Sequence, residues 1–346
     1  MKRRLPCFAL ALGLLLTLLA GCTPKSNKYS AYSMEYFDTV TTITGYETSQ
    51  EQFDAVANEV LRQLKEYHLL YNIYLRYENL ENLCTINELV DGAHRTVRVD
   101  PRIIDMLLRA KEMYTLTGGI MNVAMGSVLS LWHDHRTVGK DDPLLASLPP
   151  MDRLQEAAQH TDINNLVIDA VNCTVTLTDP AMKLDVGAIA KGYATECIAR
   201  DLEAKGITGY VLNVGGNVRT IGTKADGTPW TVGIENPEGG DYLAYLQLSG
   251  QCLVTSGSYQ RYYYVDGKPY HHIIHPDTLM PAEGYRSVSV ICSDSGLADA
   301  LSTALFCLPL EEGLALVETI PDAEALWLSE DGAQTASPGW DKYVKK

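Results

Sequence analysis

The stretch from Asp185 to Ala194, DVGAIAKGYA, places the strongest constraint on how this chain can fold. It follows a short apolar run, Met182 to Leu184, and opens a helical pattern that continues to Lys205. The sequence therefore predicts a strand, a turn and a helix in that order. Small residues at a helix start let a ligand approach the backbone, and the free N–H groups and the dipole there favour an anion. Lys191 could add a cation to such a site, although capping and close packing would explain the same residues.

The chain has 346 residues, of which 46% are hydrophobic, and a formal net charge of −15. This content is enough for a sizeable core in one large or two closely joined domains. Because no Gly-, Pro- or Ser-rich linker follows Ser30, we expect one continuous domain. A surface this acidic repels nucleic acids and anionic lipid head groups, so neither is an expected partner except through a local patch.

The N-terminus has the features of a targeting segment. A basic run, Lys2 to Arg4, precedes an apolar run from Phe8 to Leu19 that is too short for an ordinary membrane span. The sequence LAGC then ends at Cys22 and resembles a bacterial lipobox, although an ordinary secretory signal with a chance cysteine is the alternative. We expect a signal peptide over residues 1–21, lipidation of Cys22 and a domain that is extracytoplasmic and anchored to the bacterial cell membrane.

The same reasoning sets the domain boundaries. Residues 22–33 are polar and predict a tether, residues 34–330 form the domain, and residues 331–346 form a C-terminal tail. Six cysteines lie beyond Cys22 without a C-x-x-C pair, so we interpret them as small buried hydrophobic residues, with one or two disulfides still possible.

Hydrophobic periodicity predicts one helix over Glu51 to Tyr71 and a second over Ile103 to Leu116, with Pro101 at its start. A third apolar helix is predicted after Ala124, and it ends at Trp132. The charged segment from His133 to Pro150 is predicted to be a loop, and Met151 to His160 a short helix. Strands are predicted at Met34–Tyr46, around Val167–Ile168 and Val175–Leu177, and at Gly209–Val214, Val218–Ile221, Trp230–Ile234, Tyr242–Leu248, Cys252–Ser256, Tyr262–Val265 and Tyr270–Ile274.

Turns join several of these strands. Gly215 and Gly216 permit a tight turn and also a close approach to a ligand. Asp266 and Gly267 are a strong hairpin signal.

Three polar clusters interrupt the predicted strands and helices. The run Thr255 to Arg261 combines hydroxyls, a glycine and a cation, which suits either a phosphate site or a simple surface turn. In a strand, His271 and His275 would share one face and could meet a metal, while His272 would point to the other side. Asp299 and Thr303 lie at i and i+4 of an apolar helix, so both oxygens share one face and suit magnesium, unless they only cap and bond their own helix.

Five motifs together resemble one family. DVGAIAKGYA, LNVGGNV, TSGSYQRYY, HHIIHP and LADALSTALF occur in an order and at a spacing similar to those of the ApbE family, the FAD:protein FMN transferases. The likeness extends from about Met34 to Leu328. It implies an α+β, T-fold-like domain of mixed sheets with flanking helices.

The resemblance also implies a set of site residues. Asp299 and His272 would be the catalytic residues, with His272 beside the flavin or the diphosphate. Mg²⁺ would be held by the carbonyl of Ala188 and by the side chains of Asp299 and Thr303. FAD would be contacted by Met34, Tyr74, Met121, Asn122, Asp185, Lys191 and His272, although Tyr71 and Tyr77 compete with Tyr74 for the alignment.

The chain departs from the family pattern at two places. Where many members have G-G-x-F-D-x-T, this chain has GGIMNVA and so carries Asn122 and Ala124 instead of a carboxylate and a hydroxyl. The usual H-x-I-D-P is His272 to Pro276 here, with His275 in place of the acid. These changes affect the expected flavin contacts, whereas the lysine stretch and the Asp299/Thr303 pair are intact.

The implied reaction fits these residue types. A threonine hydroxyl of a target protein would attack the FMN-side phosphorus of FAD and expel AMP, which requires positioning and charge neutralisation. His272 is the candidate base by type, with His271 as the alternative. An FAD diphosphatase that uses water as acceptor and a non-enzymatic FAD-binding lipoprotein remain the alternatives. The expected partners are therefore FAD, an acceptor protein such as a membrane redox subunit, and the membrane through the lipid anchor.

Overall fold

The computed structural model describes residues 26–88 and 95–346. The predicted signal peptide, the lipidation site Cys22 and residues 23–25 of the predicted tether lie outside the described residues. In the described part of the chain, no helix is long and apolar enough to cross a membrane.

Helices and strands are both abundant. The helices are α1 (Gln50–Tyr71), α2 (Leu83–Glu88), α3 (Pro101–Leu116), α4 (Gly126–Asp141), α5 (Met151–Ala158), α6 (Ala190–Ala204), α7 (Ser295–Cys307) and α8 (Leu310–Glu318). The strands are β1 (Asn27–Ser33), β2 (Thr41–Glu47), β3 (Arg95–Arg98), β4 (Leu166–Asp169), β5 (Thr174–Leu177), β6 (Tyr210–Val214), β7 (Asn217–Ile221), β8 (Trp230–Ile234), β9 (Ala244–Leu248), β10 (Cys252–Gly257), β11 (Tyr262–Val265), β12 (Lys268–His271), β13 (Tyr285–Cys292), β14 (Glu324–Ser329) and β15 (Gln334–Ala336). The predicted α+β class is confirmed.

One large sheet organises the molecule. Eight strands in the order β1-β2-β6-β7-β10-β13-β14-β15 pair antiparallel along its whole width. The β3-β5-β4 sheet and the β8-β9 and β11-β12 hairpins stand apart from it. Alternate residues of β2 and β6, such as Ile43 and Leu212, are buried in the main core with the apolar residues of α1 and α6. The opposite face of the sheet packs in part against β8 and β9.

The N-terminal prediction is corrected at two points. Residues 27–33 are not tether, because β1 pairs with β2 from Asn27↔Glu47 to Ser33↔Thr41. The strand predicted over Met34–Tyr46 begins only at Thr41, since Phe37 and Asp38 have positive φ values of 57° and 49° and turn the chain between β1 and β2.

The C-terminal tail is also part of the fold. β15 pairs with β14, and Trp340 is 3% exposed in an apolar cluster with Trp230 and Leu326. The domain therefore extends beyond residue 330, and short polar strands such as QTA are stabilised by pairing that no local apolar pattern reveals.

Three further predictions are wrong. The helix predicted to end at Trp132 continues to Asp141, because Asp134 and Lys140 form the solvent side of one amphipathic helix, whereas Arg136 lies on its partly buried side. The run Met182 to Leu184 is not a strand and makes only one isolated bridge, Met125↔Lys183. Likewise, β12 ends at His271, so His271 and His275 do not share a strand face.

Candidate active site

A cavity of about 590 Å³ opens where the central stretch meets the ends of β6, β7 and β10. Its walls contain residues from all five motifs. The lining residues that the argument uses are Asp38, Tyr74, Met121, Asn122, Leu129, Trp132, His133, Arg136, Asp185, Ala188, Lys191, Gly216, Asn217, Glu235, Thr255, Ser256, Gly257, Gln260, Arg261, His272, Asp299 and Thr303. A cavity of this size lies in the range of small-molecule and cofactor sites.

Close packing of α6 against α7 fixes Asp299 in this cavity. A Cβ on Gly192 would lie 2.3 Å from the Ser295 carbonyl oxygen and 2.5 Å from the Asp299 Cβ, so only glycine permits this approach. The Gly192 N–H donates to Asp299 Oδ2 at 2.8 Å. Lys191 Nζ lies 3.5 Å from Asp299 Oδ1. The second glycine of the central stretch thus serves helix packing, and its amide orients the carboxylate.

This geometry corrects the expected role of the helix start. The Ala190 N–H donates to the Val186 carbonyl and the Gly192 N–H to Asp299, so these two amides are not free for an anion. Asp185 itself closes the preceding turn by accepting from the Gly187 N–H at 2.8 Å. Lys191 lines the cavity, and its predicted role toward an anion stays a prediction.

Asp299 is a buried carboxylate with few polar partners. It is 4% exposed, and burial raises its pKa, while Lys191 and the Gly192 N–H act in the opposite direction. When burial raises the pKa of a carboxyl group, a second positive charge nearby stabilises its ionised form. The cavity is therefore a favourable place for a cation beside Asp299.

The hydroxyl-bearing residues Ser256 and Thr303 line the same cavity as this carboxylate. The Thr303 hydroxyl lies 3.4 Å from the Asp299 carbonyl oxygen and 3.3 Å from Ser256 Oγ. Ser256 Oγ also lies 2.8 Å from Ser302 Oγ. Carboxylate, hydroxyl and carbonyl oxygens fit a hard cation that keeps some water or phosphate ligands. No group of three or more His, Cys, Asp or Glu side chains that could hold a metal exists in the described ranges, so such a cation would depend on hydroxyl, carbonyl and phosphate oxygens.

Among the described residues that line the cavity, Asn217 and His272 each have a buried side-chain nitrogen without a partner. In His272 this nitrogen is Nδ1. Burial, followed by the charges of Arg261 and Arg136, lowers the pKa of His272 to about 3, so the ring is neutral near pH 7. His271 differs, because its Nε2 lies 2.8 Å from the Ala282 carbonyl and its Nδ1 accepts from the Ile273 N–H at 3.2 Å. Of the two histidines, His272 is the one with a ring nitrogen left for a ligand.

Three cations face the same cavity: Arg136, Lys191 and Arg261. Burial lowers the pKa of the Arg136 guanidinium, and the charge of Arg261 lowers it further. Converging cations in a partly buried site indicate an anionic ligand such as a diphosphate. The Thr255–Arg261 cluster is therefore part of the site, with Thr255, Ser256, Gly257 and Arg261 in its lining.

Arg136 is a site residue that the sequence prediction missed. It lies on the part of α4 that was predicted to be a loop. A helix through this segment places Leu129, Trp132, His133 and Arg136 on one face, and all four line the cavity. This spacing was the available signal.

Aromatic rings form another wall. The rings of Tyr74 and His133 stack with centroids 4.5 Å apart and an angle of 26° between their planes. The Tyr74 hydroxyl lies 3.3 Å from His133 Nδ1, and burial, with the nearby charge of Asp185, raises the pKa of Tyr74 to about 12. Of the three tyrosines considered for this position, Tyr74 lines the cavity, which also has Trp132 in its wall. Such a wall suits a planar ring.

The remaining predicted contacts divide into two kinds. Met121 and Asn122 line the cavity, but the Asn122 amide is engaged by its own chain, because Nδ2 donates to the Thr161 carbonyl and Oδ1 accepts from the Ala124 N–H, both at 2.9 Å. Ala188 also lines the cavity. Met34 is 78% exposed and is not among the lining residues, so its predicted contact with FAD stays a prediction.

The structure contains no disulfide among the six described cysteines. All six are free: Cys84, Cys173, Cys197, Cys252, Cys292 and Cys307. Cys252 and Cys292 oppose each other across β10 and β13, with sulfur atoms 3.8 Å apart.

Comparison with known proteins extends these findings. The model of the ApbE family matches residues 37–327. The FAD:protein FMN transferase of Treponema pallidum (strain Nichols) is 36% identical over 259 residues, which cover 70% of this chain and 70% of that protein. The FAD:protein FMN transferase of Vibrio cholerae (strain O395) is 28% identical over 345 residues, which cover 96% of this chain and 97% of that protein.

Solved structures agree with the T-fold-like architecture that the resemblance implied. The crystal structure of the ApbE protein from Thermotoga maritima superposes with a TM-score of 0.80 at 28% identity and covers 92% of this chain and 100% of that chain. The flavin transferase ApbE from Vibrio cholerae has the same fold, with a TM-score of 0.76 at 23% identity over 92% of this chain and 99% of that chain. The match of the family model over most of the domain, together with these relatives, shows that the chain belongs to the ApbE family.

Proposed function

We propose that this chain transfers FMN from FAD to a threonine hydroxyl of an extracytoplasmic target protein, with Mg²⁺ as cofactor and AMP as the released product. The observation that carries the proposal is one cavity that combines three cations, a buried carboxylate with a neighbouring hydroxyl, and a neutral His272 with an unpartnered nitrogen. The names of the relatives from Treponema pallidum and Vibrio cholerae support the same activity.

Binding of the substrate follows from the charges. Arg136, Lys191 and Arg261 would hold the diphosphate, and the wall with Tyr74 and Trp132 would receive the flavin or the adenine ring. Asp299, Thr303 and the Ala188 carbonyl would hold Mg²⁺, which when bound neutralises charge on the diphosphate oxygens. Lys191 then stays close enough to Asp299 to keep the carboxylate ionised.

The transfer exchanges the phosphoanhydride bond of FAD for a phosphate ester bond to threonine. The threonine oxygen forms a bond to the FMN-side phosphorus, the bond from this phosphorus to the bridging oxygen breaks, and AMP leaves with that oxygen. His272 would take the hydroxyl proton on its free nitrogen. Burial is the main cause of the lowered pKa of His272, and a bound diphosphate would offset the further lowering by Arg261 and Arg136, so substrate binding would make the ring a better base.

The activity is tested with the chain from Cys22 onward, FAD, MgCl₂ and a flavin-acceptor domain that the Vibrio cholerae transferase labels. We expect in-gel flavin fluorescence on the acceptor, a mass increase of one FMN and an equal amount of AMP. Replacing the acceptor threonine by alanine should abolish the label.

Two other outcomes would contradict the proposal. Free FMN and AMP without a labelled acceptor would indicate the FAD diphosphatase. FAD binding without any product would indicate a flavin-carrying lipoprotein.

A further inference from the structure

A second groove, of about 600 Å³, opens directly from the cavity. The two spaces share a rim that includes Thr42, Asn213, Gly216, Glu235, Thr255 and Gln260. The floor of the groove is the outer face of the large sheet, where Thr42 faces Asn213 and Thr44 faces Val211 across β2 and β6. One wall is β8, whose residues 230–233 all line the groove.

The hydrogen bonds of β9 show which edge of β8 is free. On the far side of β9, the Gln247 N–H donates to the Tyr343 carbonyl and the Lys345 N–H donates to the Tyr245 carbonyl. Tyr245 and Gln247 therefore turn their backbone groups away from β8, and Ala244, Leu246 and Leu248 turn theirs toward it. These three pair with Ile234, Val232 and Trp230.

The alternation leaves two residues of β8 with outward backbone groups. Thr231 and Gly233 lie between the bonded positions, so their N–H and C=O groups point away from β9. Both residues line the groove, and within residues 26–88 and 95–346 neither has a backbone hydrogen bond to another element. A strand edge of this kind is a template for another extended chain.

The side chains of the groove suit a peptide better than a nucleotide. Its lining contains a single cation, Lys28, whereas the cavity contains three. The half-exposed ring of Tyr242 covers Gly233, where an added Cβ would lie 2.5 Å from it. Trp230 is 6% exposed, and its buried indole N–H has no partner in the described structure. The groove thus offers hydrogen-bonding groups and an aromatic surface without a phosphate site.

We propose that an extended segment of the acceptor protein binds in this groove as an added strand along β8 and delivers its hydroxyl residue to the shared rim. This inference rests on the proposed function. It assigns FAD to the cavity and the acceptor backbone to the N–H and C=O groups of Thr231 and Gly233. Main-chain pairing of this type supplies affinity, while neighbouring pockets supply selectivity for side chains.

The first test compares Thr231→Pro with Thr231→Val. Proline removes the outward N–H but no bond to β9, whereas valine keeps that N–H. The assay uses an unlabelled acceptor domain, of the kind that the Vibrio cholerae transferase modifies, at a concentration below its KM. We expect Thr231→Pro to lower the labelling rate about tenfold, because one main-chain hydrogen bond and the strand geometry are lost. The Kd for FAD should remain within about twofold, and Thr231→Val, which keeps the N–H, should label the acceptor faster than Thr231→Pro by most of this factor.

The second test needs no substitution in this chain. The acceptor with its threonine replaced by valine is added to the native chain with FAD, and amide hydrogen exchange is followed residue by residue. Protection at Thr231 and Gly233 supports the inference. Protection only elsewhere, or a native labelling rate in Thr231→Pro, overturns it. Absence of labelling by the native chain, with FAD bound, would overturn the proposed function and with it this inference.

Discussion

Asp299 is the residue on which the proposed chemistry depends most. We expect Asp299→Asn to lower the rate of FMN transfer by about 100-fold or more. The substitution removes the negative charge that would hold the metal ion, and the metal ion would neutralise the charge that develops on the phosphate. EDTA should lower the native rate to a similar level. The asparagine can still accept from the Gly192 N–H, so the fold should be retained.

Asp294→Asn is the matched control, since Asp294 caps the same helix but does not line the cavity. This variant should keep both the transfer rate and its sensitivity to EDTA. Full transfer by Asp299→Asn in the presence of EDTA would show that the metal assignment is wrong.

The second prediction concerns His272 and the dependence of the free energy of unfolding on pH. Its pKa of about 3 lies below the value of about 6.5 in an unfolded chain, so its protonation favours the unfolded state. Its contribution is fully present above pH 6.5 and is lost as the pH falls toward 3. Between pH 7 and pH 5 the native chain should lose about 2 kcal/mol more unfolding free energy than His272→Gln.

Chemical denaturation of both proteins at the two pH values measures this difference. If both proteins lost the same unfolding free energy, protonation of the His272 imidazole would not be what destabilises the fold. All other residues are the same in both proteins, so the difference between the two losses reports on position 272.

Asn122 shows how the structure changes the interpretation of a departure from the family pattern. The missing carboxylate at this position suggested a lost flavin contact, but the amide closes its own loop with the Thr161 carbonyl and the Ala124 N–H. An aspartate here would place a carboxylate oxygen against the Thr161 carbonyl, which repels it. In this chain the amide at this position thus holds its own loop.

At the scale of elements, the contact between α6 and α7 controls the site. We expect Gly192→Ala to destabilise the chain by about 1–3 kcal/mol and to reduce FMN transfer strongly, because the added methyl group would push Asp299 and the Ser295 carbonyl away. Thermal unfolding and the acceptor-labelling assay measure the two effects.

Gly118→Ala is the control, because it introduces backbone strain without the clash expected at Gly192. Gly118 has a φ of 61° and no atom within 4 Å of an added Cβ, so the substitution should cost about 1 kcal/mol and leave transfer unchanged. If Gly192→Ala behaved like Gly118→Ala in both assays, the close approach of the helices would not be what positions Asp299.

Elements with a local signal could be predicted from the sequence. The helix over Gln50–Tyr71 shows regular apolar spacing, and Asp100 and Pro101 mark the start of the helix that ends at Leu116. The turn at Asp266 and Gly267 has the positive φ values, 50° and 78°, that its sequence indicates.

Elements without such a signal were missed. The edge strand over Asn27–Ser33 is almost entirely polar or aromatic and is stabilised by its partner strand. The pairing of Asp299 with Gly192, residues distant in sequence, likewise has no local pattern. Family resemblance identified Asp299, Lys191 and His272, but Arg136 required the correct length of a helix.

At the scale of the whole molecule, the expected lipid anchor is open to a direct test. Cys22→Ala should release the protein from the membrane fraction of the producing cells, because the cysteine is the predicted lipid acceptor. Cys7→Ala, within the predicted signal, should leave attachment unchanged. Immunoblots of the soluble and membrane fractions measure the outcome, and unchanged attachment of Cys22→Ala would contradict the lipobox.

If Cys22 carries a lipid, the early start of β1 would limit how far the domain can stand from the membrane. Lys28 lies on the groove floor and follows Cys22 by six positions, which an extended chain spans in about 20 Å. If Cys22 carries the lipid, the mouth of the groove is held near the head groups, with little freedom to swing toward distant targets. An acceptor would then have to present its threonine within a thin layer above the bilayer, so membrane proximity would select among targets before any side chain is recognised.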